Sequence, residues 1–125
     1  TRPWIHIFDV INAILIILTK KIKSDKSLIF NLSPKIKKQI SVNNIINLIL
    51  INTPIQKLKI IRIKNKIKEK KYLHISSNKA QNKLSWKTKI DLKNALKLTI
   101  KFYLLDKKKL YNEAVNQINN YFSIK

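Results

Sequence analysis

Few residues in this chain have a type and spacing suited to chemistry. His6 and His74 lie 68 residues apart, and neither has another histidine or a carboxylate at the spacing of metal ligands. Cysteine and glycine are both absent, which excludes disulfides, thiolate ligands and glycine-rich phosphate loops. No serine stands in a pattern that marks a nucleophile. We therefore predict no metal ligand and no catalytic residue, and we expect both histidines to be structural or on the surface.

Arg2 is the residue whose position most suggests a contact with a ligand. It precedes Pro3 and Trp4, where an extended segment is expected to turn into a helix. An arginine in that place could hold a phosphate group through two parallel N–H donors. The alternative is an ordinary surface arginine, and the residues alone favour that alternative.

The charge balance is the second feature that bears on function. The chain has 27 basic and 6 acidic residues, which gives a net charge of +21 at pH 7. Such a charge suggests a polyanionic partner such as nucleic acid. However, the lysines are spread over the whole chain, and Ile, Lys and Asn, which A and T alone can encode, make up about half of it. We expect a lysine-rich surface shaped by an AT-rich coding sequence, with a small basic nucleic-acid-binding protein as the alternative.

Apolar residues at helical spacing predict five helices that would position these residues. The first is expected to begin after Asp9 as its N-cap and to bury its apolar face over residues 10–22. The others are expected from Ser41 to Ile51, from Ser76 or Ser77 to Leu84, from Asp91 onward, and over about residues 110–122. Most aromatic residues, Tyr103 and Phe122 among them, fall on apolar faces and are expected in the core.

Alternating or short apolar runs predict extended or strand segments before and between the helices. They are residues 4–8, 28–32, 58–67 and 72–75. The order of elements indicates a helix-rich α/β chain, and its length of 125 residues indicates one domain. The longest apolar stretch, residues 10–18, is much shorter than the roughly 20 residues of a membrane span. Because no secretory signal is evident either, we expect a cytoplasmic protein.

Two segments near the N-terminus resemble a known family. Residues 2–7 read Arg-Pro-Trp-Ile-His-Ile, and residues 30–34 read Phe-Asn-Leu-Ser-Pro. They resemble the Arg-Pro-Trp-x-His-Val segment and the Trp-Asn-Phe-Gly-Pro strand end of CDP-glucose 4,6-dehydratases, which are extended short-chain dehydrogenases of the NAD-dependent epimerase/dehydratase family. Residues 41–49 resemble the helix that follows in that family.

Residues 72–87 carry the strongest match. Tyr-Leu-His-Ile-Ser-Ser-Asn-Lys-Ala at residues 72–80 is similar to the family's Tyr-Leu-x-Leu-Asp-x-Ser-Lys-Ala, and Leu-Ser-Trp at 84–86 to its Leu-Gly-Trp. The helix after Asp91 and residues 115–121 resemble the family's last helix and its Gln-Ile-x-x-Tyr tail. Ser33 and Ser85 stand where the family has Gly, at turns where a positive φ is expected.

The resemblance covers the C-terminal part of the family only. It implies that residues 1–125 form a single partial domain, the helix-rich substrate-binding subdomain of an extended short-chain dehydrogenase without its Rossmann half. The family's NAD turn and Tyr-x-x-x-Lys pair lie upstream, so NAD is implied for the full-length family and no cofactor residue is expected here. By analogy, Arg2 contacts the diphosphate of CDP-glucose. The resemblance also implies that the full-length relatives are lyases that can form homodimers, and we expect that this chain is not catalytic alone.

A third alternative is a subdomain that lends its helices to another chain. Incomplete burial of the apolar face over residues 10–18 would favour it.

Overall fold

The computed structural model of the chain describes residues 1–20, 28–35, 40–54, 60–61, 63, 70 and 72–124. Within these ranges lie five helices: α1 (Ile7–Thr19), α2 (Val42–Asn52), α3 (Asn78–Leu84), α4 (Leu92–Tyr103) and α5 (Lys107–Ser123). Helix α2 packs on α4, α4 packs on α5, and α1 packs on α3. The prediction of a helix-rich chain is confirmed.

Side-chain caps fix the starts of α2 and α4, as predicted. The Ser41 hydroxyl accepts from the Asn44 N–H at 3.2 Å, and the Asp91 carboxylate accepts from the Asn94 N–H at 2.8 Å. Each bond satisfies one backbone donor that a first helical turn leaves unpaired. Ser77 precedes α3, and α5 begins earlier than predicted, after Asp106.

The predicted strands are not found in the described part of the chain. Residues 28–32 and 72–75 have no regular secondary structure, and the only pairing of extended backbone there is one antiparallel bridge between Arg2 and Ile40. Most of the predicted strand at 58–67 lies outside the described residues. The expectation of an α/β chain is therefore not met in these ranges. An alternating pattern becomes a strand only where a neighbouring strand supplies hydrogen bonds.

Helix α1 differs from its prediction in both its start and its burial. It begins at Ile7 with His6 as N-cap, so Asp9 lies inside the first turn and is not the cap. The face that was expected in the core is largely exposed, with Leu18 75% accessible, whereas Asp9 and Ala13 are fully buried. The expectation of a buried apolar face was wrong because a polar cluster, described below, fixes which side of α1 faces inward.

The core consists of two small clusters. Ala13, Ala80, Leu84 and Trp86 form the first, with Ile5, Ile16, Phe30 and Leu32 packed against it. Ile90, Ala95 and Tyr121 form the second, with Phe8 and Leu98 packed against it. The first joins α1 to α3, and the second joins α4 to α5.

Two aromatic residues that were expected in the core are exposed. Tyr103, the last residue of α4, is 82% accessible, and Phe122 is more than half accessible. Among the helices that the structure describes, none combines the length and apolar character needed to cross a membrane.

Candidate functional site

The segment that leads into α1 is fastened to the start of α2. The Arg2 N–H donates to the carbonyl oxygen of Ile40 at 3.4 Å, and the Trp4 indole N–H donates to the same oxygen at 3.2 Å. Because Ile40 directly precedes the cap residue Ser41, these bonds fix Trp4 relative to α2.

The Arg2 guanidinium lies at the N-terminal edge and does not line either of the cavities described below. Its Nη1 donates to the carbonyl oxygens of Thr1 at 2.8 Å and Lys70 at 3.1 Å. These two bonds orient the side chain along the N-terminal edge. The predicted phosphate contact of Arg2 remains a prediction.

His6 is held at the N-terminus of α1 as a buried imidazole. Its Nδ1 accepts from the Phe8 N–H at 3.2 Å, and its ring meets the Phe8 ring edge-on with centroids 4.8 Å apart. Burial lowers the pKa of His6, and the nearby Asp9 carboxylate opposes this shift in part. A neutral imidazole whose Nδ1 accepts carries its proton on Nε2. His6 thus serves α1 as a cap, whereas His74 is exposed.

Two cavities meet at Trp4 and His6. The larger, about 670 Å³, is apolar and lies between residues 4–8 and helices α2, α4 and α5. The smaller, about 410 Å³, is a more polar cleft bounded by Pro34, Lys35, Ile40 and residues 88–92. Trp4, His6, Leu92 and Ala95 line both. An arrangement of one apolar cavity beside a polar cleft suits a ligand with a planar or apolar end and a charged end.

Three charged residues line the polar cleft, and the acidic one already has a structural role. Both Asp91 oxygens accept hydrogen bonds from Asn94, from its N–H at 2.8 Å and its side-chain amide at 3.0 Å. Lys35 is exposed, and the Lys89 ammonium donates to the Ile124 carbonyl at 2.5 Å beside the ring of Tyr121. The lining of this cleft therefore contains two lysines and one carboxylate, and the Lys89 ammonium is bonded outside it.

A buried carboxylate positions the loop that forms one wall of the cleft. Asp9, fully buried, accepts from the Lys89 N–H and the Tyr121 hydroxyl, both at 2.8 Å, and from the Ile90 N–H at 3.5 Å. Its backbone carbonyl accepts from the Trp86 indole at 2.9 Å. Asp9 thereby connects the two core clusters and holds residues 86–90 against α1.

The phenol of Tyr121 completes this buried cluster. Burial, together with the adjacent Asp9 carboxylate, raises the pKa of Tyr121 far above its ordinary value, and a hydrogen bond from the Asn12 side chain opposes that shift. The phenol therefore remains a protonated donor over the ordinary pH range. The sequence gives no local signal of this cluster, because Asp9 lies 80 residues from Lys89 and 112 residues from Tyr121 in the chain.

Sequence reasoning also missed that Trp4 and His6 line cavities. The signal that could have found them is the polar and aromatic composition of residues 4–6 directly before an apolar helix. No cluster of three His, Cys, Asp or Glu side chains that could hold a metal occurs among the residues described above.

Comparison of the chain with protein-family models, curated proteins and solved structures finds no match. The resemblance to CDP-glucose 4,6-dehydratases therefore depends on the short segments quoted above.

Proposed function

We propose that this chain is the substrate-side part of a nucleotide-sugar 4,6-dehydratase of the CDP-glucose type, without catalytic activity of its own. The observation that carries the proposal is the backbone of Ser85, with φ 57° and ψ 26° at the end of α3. Among the described residues it is the only one with a positive φ. This left-handed conformation favours glycine, and the family pattern has Gly at this position.

The packing of three resembling segments supports the same proposal. Ile5 from the Arg-Pro-Trp-x-His segment and Leu32 from the Asn-x-Ser/Gly-Pro segment both pack against the core cluster that contains Ala80 and Trp86. The Ser77 hydroxyl also donates to the Ser33 carbonyl at 2.8 Å in a buried position. Segments that are far apart in sequence and resemble one family thus meet in one core cluster.

The described residues do not fit NAD. Binding of a dinucleotide pyrophosphate needs a glycine turn between a strand and a helix, so that the backbone can approach the phosphates. This chain has no glycine, and no described helix follows a strand. We therefore derive no hydride step from these residues, and the proposed function leaves the cofactor to the companion half.

In the proposed role, the polar cleft receives the nucleotide sugar. Lys35 and Lys89 supply positive charge for the diphosphate, and the half-buried Trp4 supplies a flat apolar surface. Arg2 is a further proposed contact to the diphosphate, made from the same segment as Trp4. Because Arg2 Nη1 donates to the carbonyl oxygens of Thr1 and Lys70, this contact requires the side chain to rotate.

Titration of the ¹⁵N-labelled chain with CDP-glucose tests the proposal. We expect weak saturable binding, with a dissociation constant near millimolar, or about −4 kcal/mol, because the companion half is missing. The changes in NMR chemical shift should be largest at the Trp4 indole N–H and the Lys89 amide. Lys89→Gln and Arg2→Gln should each weaken binding several-fold, whereas Lys87→Gln, an exposed lysine outside the cleft, should not.

Two results would contradict this assignment. One is a set of shifts scattered over the surface lysines, with no dependence on Lys89. The other is micromolar binding of NAD by calorimetry. The coding sequence ahead of Thr1 offers an independent check, since it should contain Gly-x-x-Gly-x-x-Gly and Tyr-x-x-x-Lys; their absence from every reading frame would count against the proposal.

A second candidate function, binding of single-stranded nucleic acid, is favoured by the connection between α4 and α5. Tyr103 and Tyr111 are 82% and 77% accessible, and they flank the lysines at 107–109 in the first turn of α5. Exposed aromatic rings interleaved with a basic run are what base stacking on a phosphate-binding surface requires.

Anisotropy of a labelled oligothymidine separates this second candidate from charge attraction alone. Tyr103→Ala and Tyr111→Ala should each weaken binding at least several-fold, by about 1–3 kcal/mol per lost stack. Tyr72→Ala, which removes an exposed tyrosine elsewhere, should leave affinity unchanged. Equal affinities for all three variants, with a steep salt dependence, would mean that only the lysines act.

A further inference from the structure

The outer face of α1 carries a stripe of exposed apolar side chains. Ile7, Ile11, Ile14 and Leu18, here called the α1 stripe, are 59%, 40%, 50% and 75% accessible. They follow one another at spacings of four, three and four residues. This 3.5-residue repeat is the spacing of a helix seam that packs against another helix.

The α1 stripe is not part of the chain's own core. The opposite face of the same helix supplies the buried contacts, through Asp9, Ala13 and Ile16. Leu15 and Ile17 flank the stripe and are also exposed, so the apolar surface is wider than a single row. A contiguous exposed apolar surface of this kind marks an interaction site.

The charge distribution indicates which partner fits this face. Residues 3–19 contain no lysine or arginine, although one residue in five in the whole chain is a lysine. Two chains with a charge of +21 repel one another at most surfaces. Two copies can meet at the α1 face without bringing lysines close together. An acidic partner would have no positive charge to recognise on this face.

The order of residues in the stripe is symmetric. In an antiparallel arrangement about a two-fold axis, Ile7 lies opposite Leu18 of the partner subunit, and Ile11 lies opposite Ile14 of the partner subunit. Every apolar residue of the stripe then meets another, which is the self-complementarity that a two-fold interface requires. We propose that two copies of this chain associate through antiparallel contact of their α1 stripes. This inference goes beyond the proposed function and does not depend on it.

Sedimentation equilibrium of the full chain, from micromolar to nearly millimolar concentration, tests the proposal. The wild type should dimerise, and the dimer should strengthen between about 0.05 M and about 0.5 M NaCl, because salt screens the repulsion of the lysines. Ile14→Lys/Leu18→Lys should be monomeric throughout with unchanged helical circular dichroism. Ile51→Lys, which alters an equally exposed residue on α2, should dimerise like the wild type.

Cysteine cross-linking tests the arrangement and keeps the proposal falsifiable if the lysine variant fails to fold. The chain has no native cysteine, so Ile11→Cys and Ile14→Cys can be mixed and oxidised mildly. The antiparallel arrangement predicts an excess of the mixed disulfide over both self-paired disulfides. A wild type that stays monomeric, a dimer that Ile51→Lys disrupts instead, or an association that salt or nuclease abolishes would overturn the proposal.

Discussion

The two faces of α1 reverse the usual pattern, in which apolar side chains are buried and charged side chains are exposed. The inner face contains Asp9, fully buried with its oxygens bonded to three donors, beside the small side chain of Ala13. The outer face contains large apolar residues, of which Leu18 is 75% accessible. The most polar residue of the helix is therefore inside, and several of its most apolar residues are outside.

This difference shows that specific hydrogen bonds determine the orientation of α1. A buried carboxylate is tolerated only when its oxygens are hydrogen-bonded, and here the donors come from residues 89 and 90 and from α5. Rotating the helix to bury its outer face would leave these donors and the carboxylate without partners. Hydrophobic burial and the polar cluster favour different orientations, and the polar cluster prevails.

Asp9→Ala should produce the largest effect, because it removes the inner cluster directly. The change leaves the Lys89 N–H and the Tyr121 hydroxyl buried without their acceptor, and each unsatisfied donor costs about 1–3 kcal/mol, so the loss should be about 3 kcal/mol or more. Urea unfolding monitored by circular dichroism measures it.

Asp106→Ala is the matched control for Asp9→Ala. Asp106 also stands at the start of a helix, but it is exposed and its side chain makes no capping bond. Its replacement should change the free energy of unfolding by less than about 0.5 kcal/mol. Similar losses in the two variants would show that the buried cluster is not what orients α1.

Tyr121→Phe should have an intermediate effect, because it deletes only one of the donors to Asp9. The carboxylate keeps its bond to the Lys89 N–H, so we expect a loss of about 1–2 kcal/mol in the free energy of unfolding. Tyr111→Phe removes an exposed hydroxyl from the same helix and should be neutral within about 0.5 kcal/mol. A neutral Tyr121→Phe would mean that the phenol fills space without holding α5 to α1.

The helix ends that depend on neighbouring residues could be predicted from the sequence. Ser41 and Asp91 each accept from an N–H three residues later, so the capping signal and its target lie within one turn. Asp9 gives the same local signal, yet its carboxylate accepts from Lys89 and Tyr121, which lie 80 and 112 residues away in the chain.

The extended segments and the inward faces could not be predicted in the same way. Residues 28–32 have the apolar composition of a buried strand, but they form no strand among the described residues, and Phe30 and Leu32 pack on the first core cluster. The position of Trp4 and His6 between two cavities depends on where α2 and α4 come to lie. Such features arise from contacts between distant residues, which a local pattern does not contain.

Ser85→Gly should stabilise the loop that joins α3 to the Asp9 cluster. Because Ser85 has φ 57°, glycine removes a steric cost, and we expect a gain of about 0.5–1 kcal/mol in thermal or urea unfolding. Ser33→Gly is the matched control, since Ser33 also stands where the family has Gly but does not have a positive φ. A gain in stability for both variants would mean that the positive φ of Ser85 is not its cause. A gain for neither would mean that serine has no steric cost at position 85.

The smallest expected effect is a pH dependence at the start of α1, where the inner and outer faces diverge. Burial lowers the pKa of His6, so the unfolded chain binds a proton more readily than the folded chain. The contribution of His6 to stability is therefore complete above about pH 6.5, the ordinary histidine value, and declines as the pH falls through it.

Urea unfolding at neutral and mildly acidic pH should show this decline in the wild type. His6→Asn, which keeps a side-chain acceptor at the cap, should reduce the decline, whereas His74→Asn should not, because His74 is exposed. An equal decline in all three proteins would show that the acid sensitivity comes from the carboxylates.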